Sequence, residues 1–139
     1  PYLIAVLALL GAKSRYILQG LTVNDVSVNG YPFGSARQIS IARCLFLAMR
    51  ITYVGELGWE LHFPVEYAQT VYNKLIEAGS PLGLRNAGYR AIETLRLEKL
   101  RVYVKSEVDF LIIFEIFRKC HVENYSPILA VGLNQIQFP

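Results

Sequence analysis

A carboxylate and an imidazole stand two residues apart in the run Gly58-Trp-Glu-Leu-His-Phe63, and Gly55 and Gly58 lie just before them. Strand alternation puts Trp59, Leu61 and Phe63 on one face and Glu60 and His62 on the other. A carboxylate on a rigid strand beside a glycine-tight turn can grip a ligand that offers N–H donors. The same pattern suits a solvated surface glutamate, since Glu is seldom buried without a partner. A second set of residues is basic: Arg85, Arg90, Arg96, Lys99, Arg101 and Lys105. It reads either as a solvated helix face with the turn after it, or as a site for an anionic group, because the planar fork of arginine matches a carboxylate.

Other chemistries find little support. His62 and His121 are the only histidines, and neither has a cysteine at metal-ligand spacing; Cys120 directly precedes His121, which is poor chelate geometry. Gly11-Ala-Lys-Ser14 lacks the upstream glycine and the Gly-Lys pair of a phosphate loop, and no Gly-x-Gly-x-x-Gly occurs. Serine, histidine and acidic residues form no triad context. A net charge of +3 is too mild to point to nucleic acid. The apolar runs 2–10 and 108–117 are too short to span a bilayer, and the first has no basic flank of a signal peptide. Two cysteines, Cys44 and Cys120, make no disulfide framework and fit a reducing compartment.

The elements that must position these residues are legible in part. With 139 residues, 53% of them apolar, the chain forms one domain or part of one. Residues 3–10 read as a central strand covered on both faces. Residues 13–21 read as a short helix, with Tyr16, Ile17 and Leu21 at helical spacing, and 22–33 as a loop with turns. Residues 38–50 hold a strand or two. Ile51-Thr-Tyr-Val54 is short, β-branched and aromatic, so it and the Trp59 strand read as the arms of a β-hairpin. Pro64 opens and Gly79 closes a helix whose stripe is Ala68, Val71, Tyr72 and Leu75. Asn86 is placed to cap a last helix reaching Lys99, with Ala91, Ile92 and Leu95 along one stripe. The economical architecture is α+β, with helices packed on a mostly antiparallel sheet.

Four ordered motifs carry a resemblance. Residues 48–64, Ala-Met-Arg-Ile-Thr-Tyr-Val-Gly-Glu-Leu-Gly-Trp-Glu-Leu-His-Phe-Pro, resemble the folate-binding, glycine-cleavage T-protein (aminomethyltransferase) type domain of the sarcosine dehydrogenase family. Gly11-Ala-Lys-Ser-Arg-Tyr-Ile-Leu-Gln19, Tyr31-Pro-Phe33 and the stretch 84–99 are similar to further segments of that family, in the right order. Dimethylglycine dehydrogenase and the regulatory subunit of pyruvate dehydrogenase phosphatase share the Gly-Glu-x-Gly turn and the Glu-Lys helix end. A serine-arginine at Ser14-Arg15 and Trp59-Glu-Leu-His62 favour the sarcosine dehydrogenase type.

The resemblance implies a mitochondrial matrix flavoprotein in which an FAD domain oxidises an N-methyl amine and a second domain presents tetrahydrofolate to the one-carbon unit. The present chain corresponds to part of that second domain, so its partners would be the folate ligand and the flavin domain of a parent chain, with neither nucleic acid nor a membrane. Alone it would be inactive, and a non-functional truncated product is a further reading. Glu60 matches the glutamate that hydrogen-bonds the pterin ring. Gly55 and Gly58 would set the turn and let the ligand approach, and Tyr53 and Trp59 could wall it, although Trp59 suits the core better. The T-protein arginine expected near the last helix falls on Ile92, which leaves Arg90 or Arg96 as candidates for an anionic contact. The likeness divides the chain into residues 1–99, the partial folate-binding domain, and an unmatched segment 100–139, such as a gene-model error retaining intron sequence would produce.

Overall fold

The computed structural model describes residues 3–99 and 128–132. Six strands form one sheet: β1 (Ile4–Leu10), β2 (Ala36–Ile41), β3 (Cys44–Met49), β4 (Gly58–Pro64), β5 (Arg85–Ala87) and β6 (Ile128–Gly132). Their order is β2-β3-β4-β1-β6-β5, antiparallel throughout except for the parallel β5–β6 pair. Three helices accompany it: α1 (Ser14–Leu21), α2 (Ala68–Gly79) and α3 (Tyr89–Glu98). This is the α+β architecture read from the sequence. No described helix is long and apolar enough to cross a membrane.

One face of the sheet makes the core. Ala5, Leu7 and Leu9 of β1, Ile39 and Ile41 of β2, Phe46 and Ala48 of β3, and Trp59, Leu61 and Phe63 of β4 are all buried. Against them pack Ile17 and Leu18 of α1 and Val71 and Leu75 of α2. Period two in the strands meets period 3.6 in the helices, and each large side chain so buried contributes about 1.5–3 kcal/mol. Phe46 and Phe63 meet edge to face, ring centroids 5.6 Å apart, a favoured aromatic geometry. In α1 the buried stripe is Ser14, Ile17 and Leu18, while Tyr16 is exposed. The Ser14 hydroxyl, buried, donates to the Leu57 carbonyl at 3.3 Å, so the helix start is tied to the approach to β4.

Strand β1 is central in order, between β4 and β6, yet its burial alternates. Ala5, Leu7 and Leu9 are covered while Ile4, Val6 and Ala8 remain half-buried among the described residues, rather than both faces being closed.

Three local expectations are corrected. Residues 51–54 are not a strand: β4 pairs with β3 and β1, the β3–β4 register running Leu47↔His62 to Met49↔Glu60. The chain leaves the sheet at Arg50, whose N–H bonds the Ser35 carbonyl, and at Ile51, whose N–H turns back to the Met49 carbonyl at 3.0 Å. Thr52 and Val54 are buried there without a ladder, so β-branched composition reflected burial and not pairing. Asn86 caps no helix. It lies in β5 opposite Leu129, and its amide donates to the Tyr72 hydroxyl at 2.6 Å; α3 starts three residues later after Gly88, with no side-chain cap. Pro64 is followed by a 3-10 turn, Val65–Tyr67, before α2 begins, and a second such turn, Ser80–Leu82, fills the expected loop after Gly79.

Ile128–Gly132 lies within the segment set apart in the sequence, and it takes its place between β1 and β5. Arg101, Lys105, Cys120, His121 and the apolar run 108–117 lie outside the described residues.

Candidate functional site

Strand β4 places Glu60 and His62 on the face opposite the core, as alternation required. Glu60 stands in register with Met49 of β3 and Ala8 of β1, and His62 with Leu47 and Val6. The small Ala8 leaves the carboxylate open on that side; the Glu60 side chain keeps 29% of its exposure. His62 Nε2 lies 3.4 Å from Glu60 Oε2, within ion-pair range but without hydrogen-bond geometry, so the buried Nε2 has no hydrogen-bond partner among the described residues. The pair is thus a half-open carboxylate with free acceptor capacity, on a strand held from both sides.

Gly55 sits exposed with φ +80°, a conformation that L side chains rarely adopt. Gly58 is buried, and the space a Cβ would take is filled by Leu10 Cδ2 at 2.4 Å and the Leu9 carbonyl oxygen at 3.0 Å. Its close approach is therefore to β1. Tyr53 and Arg96, distant in sequence, are brought together. The Tyr53 hydroxyl donates to Glu93 Oε1 at 2.5 Å, Arg96 grips Glu93 Oε2 through Nε at 3.1 Å and through a terminal nitrogen at 2.5 Å, and the guanidinium lies 5.5 Å from the Tyr53 ring centroid. A second contact, Lys99 Nζ to Glu56 Oε1 at 2.7 Å, ties the same loop to the end of α3. Glu60 carries no member of this cluster in its register row.

Comparison with known proteins identifies the family. The family model described as "GCVT N-terminal domain" covers residues 3–112. The chain belongs to the GCVT N-terminal domain family. It is 43% identical over 96 residues to "Sarcosine dehydrogenase, mitochondrial" of Homo sapiens, a match covering 69% of the chain and 10% of that protein. Against "Dimethylglycine dehydrogenase, mitochondrial" of Mus musculus it is 38% identical over 94 residues, 68% of the chain and 11% of the relative. Against "Aminomethyltransferase" of Caldanaerobacter subterraneus it is 42% identical over 96 residues, 68% of the chain and 25% of the relative. The chain therefore spans about a tenth of the length of the dehydrogenases it matches.

In this GCVT-family domain the half-buried cluster around Glu93 was not visible in the sequence, although Glu93 and Arg96 stand at the i,i+3 spacing that favours an ion pair. Arg96, one of the two candidates for an anionic contact, pairs with Glu93. Arg90, the other candidate, is exposed, and Ile92 is half-buried on α3. Among the described residues no group of three or more His, Cys, Asp or Glu could hold a metal ion.

The cluster has a pH signature. The Arg96 hydrogen bonds, then that of Tyr53, hold the Glu93 carboxyl below the ordinary carboxylate value of 4.5. The bond to Glu93 pushes the Tyr53 phenol above its ordinary 10.0. The Glu93 contribution is present above the unfolded value and is lost as pH falls through the lower folded one; that of Tyr53 is full below 10.0 and is lost as pH rises through the raised folded value. A difference titration at tyrosinate wavelengths, wild type minus Tyr53→Phe, should show Tyr53 ionising later than an ordinary phenol. The lag should vanish in Glu93→Gln, and a Tyr53 midpoint equal in both backgrounds would contradict the assigned bond.

Proposed function

We propose that this chain is part of the tetrahydrofolate-binding domain of a sarcosine-dehydrogenase-like flavoprotein, and that Glu60 takes the amino-pyrimidine edge of the pterin. The observation that carries the reading is the position of Glu60: a half-open carboxylate on the non-core face of β4, beside a small residue of β1, with acceptor capacity to spare. The residues fit the ligand. Two N–H donors on an aromatic edge match two carboxylate oxygens in a charge-assisted pair, and His62 Nε2, buried without a hydrogen-bond partner among the described residues, stands beside it. Tetrahydrofolate, when bound, would supply the nitrogens that capture a one-carbon unit from an oxidised N-methyl amine.

The chain's own residues bind and orient rather than react. Glu60 would fix the pterin plane, Met49 and Leu47 of β3 offer apolar contact on the same face, and the loop carrying Tyr53 and Gly55 is held in place by Glu93 and Lys99. FAD belongs in this reading to a separate oxidising domain of the parent protein, which would be the partner of this one, and the mitochondrial names of several relatives support a mitochondrial location; the matrix is the compartment this reading proposes.

Titration of 5-formyltetrahydrofolate into the full-length parent protein and its Glu60→Gln variant tests the role. Loss of a hydrogen bond to a charged group should weaken binding by about 10- to 100-fold. Equal affinity in the two proteins would remove Glu60 from the site.

A further inference from the structure

Away from Glu60, on the core side of the sheet, arginines gather on an aromatic pair. Tyr31 and Trp59, both buried, meet edge to face with centroids 6.4 Å apart and planes at 79°. The guanidinium carbons of Arg15 and Arg50 lie over the Trp59 ring, 5.4 and 4.8 Å from its centroid, and that of Arg37 lies 5.3 Å from the Tyr31 centroid. Such stacking orders a guanidinium while leaving its N–H edge available. The direct partners are neutral: Arg15 donates to the Val26 carbonyl, and Arg50 to the Gly58 carbonyl at 3.4 Å.

None of the three arginines has a carboxylate within ion-pair distance among the described residues. Asp25 feels the charges of Arg37 and Arg15, but its Oδ1 accepts the Ser27 backbone N–H at 2.8 Å. Arg50 Nε is buried and has no hydrogen-bond partner among the described residues. Burial and the neighbouring Arg15 charge both lower the Arg50 pKa, so its charged form is disfavoured where it stands. Like charges brought together and partly desolvated cost free energy unless an opposite charge joins them. Each guanidinium has five donors and uses few of them here.

We propose that Arg15, Arg37 and Arg50, ordered by Tyr31 and Trp59, form a binding site for a small oxyanion, a carboxylate or a phosphate. The planar forks suit either group, and the anion offsets the repulsion between Arg15 and Arg50. This site is separate from the folate reading: Trp59 faces the core and Glu60 faces the other side of β4.

Trp59 is the only tryptophan of the chain, so its fluorescence reports directly on the site. The full chain is titrated with sodium phosphate and with glutarate at constant ionic strength, with sodium chloride as the control. A saturable change with phosphate or glutarate, absent with chloride, is expected; phosphate alone assigns a phosphate ligand, glutarate alone a carboxylate. Arg50→Lys keeps the charge but loses the fork and should weaken binding about tenfold, as should Arg37→Gln. Arg37 is exposed, so the second variant decides the matter if far-ultraviolet circular dichroism shows that the first has not folded. Glu60→Gln should bind the anion as wild type does, which separates this site from the folate reading. No saturable response, a response that chloride reproduces, or wild-type affinity in every folded arginine variant overturns the proposal.

Discussion

Replacing Trp59 with alanine is expected to lower the stability of the chain by about 3–5 kcal/mol. The residue is fully buried on a strand paired from both sides, and Tyr31 and two guanidiniums pack on it. Removal of the indole leaves a cavity, and it leaves Arg15 and Arg50 without the ring that orders them. Trp59→Phe should cost far less. It keeps an aromatic face, and it deletes an indole N–H that is buried without an acceptor among the described residues; leaving such a group unpaired costs about 1–3 kcal/mol, which offsets part of the lost area. Denaturant unfolding followed by circular dichroism checks both variants. A Trp59→Ala loss no greater than that of Trp59→Phe would mean the pocket collapses freely and the stacked arginines contribute nothing.

Gly79→Val is expected to lower the stability by about 1–3 kcal/mol through overpacking. Gly79 closes α2, and a Cβ there would stand 2.3 Å from Leu84 Cδ2, 2.6 Å from its Cβ and 2.9 Å from its Cγ. The end of a leucine can rotate away, but its Cβ moves only with the backbone. That backbone is pinned, since the Leu84 N–H bonds the Gly79 carbonyl at 2.9 Å. The strain therefore passes into the residues leading to β5. Gly79→Ala should show a smaller loss of the same kind, and Leu84→Ala should recover part of it in the double variant, because residues in contact do not act additively. Gly20 is the control: a Cβ there meets nothing within 4 Å, so Gly20→Ala should be neutral or stabilising by up to about 1 kcal/mol. Equal losses at Gly79 and Gly20 would show that helix propensity, and not the Leu84 contact, governs both.

What could be read from the sequence was what repeats over short distances. The stripe of α2 and the alternation of Trp59, Leu61 and Phe63 against Glu60 and His62 each impose a period that one face of the core must satisfy; the continuous apolar run of β1 marks a strand but carries no period, so it does not tell which of its residues take the core face. Partners of a strand are not periodic information. Ile51 and Val54 have strand composition, but the turn at Arg50 and the Gly11 N–H bonding Leu57 at 2.7 Å decide that this stretch crosses the end of the sheet. Asn86 has capping chemistry, but a parallel partner in β6 claims its backbone first. The contacts of Tyr53, Glu93 and Arg96 span forty residues of sequence separation, and the gathering of Arg15, Arg37 and Arg50 requires a helix, a strand and a loop to meet.

The position of β1 also bears on how the chain acquires its fold. β2 and β3 are adjoining segments joined by the two residues Ala42 and Arg43, both at positive φ, so their pairing closes almost no loop. β1 instead pairs with β4 and with β6, Val6 meeting His62 on one edge and Gly132 on the other. A central strand that pairs on both edges with segments far along the chain makes contacts of long sequence separation, which raise the contact order. The entropy of closing those loops is lost before the pairings repay it, which places this domain among slower-folding topologies. During synthesis the edge of β1 that β6 will cover is an open edge for as long as β6 is still to be made, and it is the edge most open to pairing with another chain.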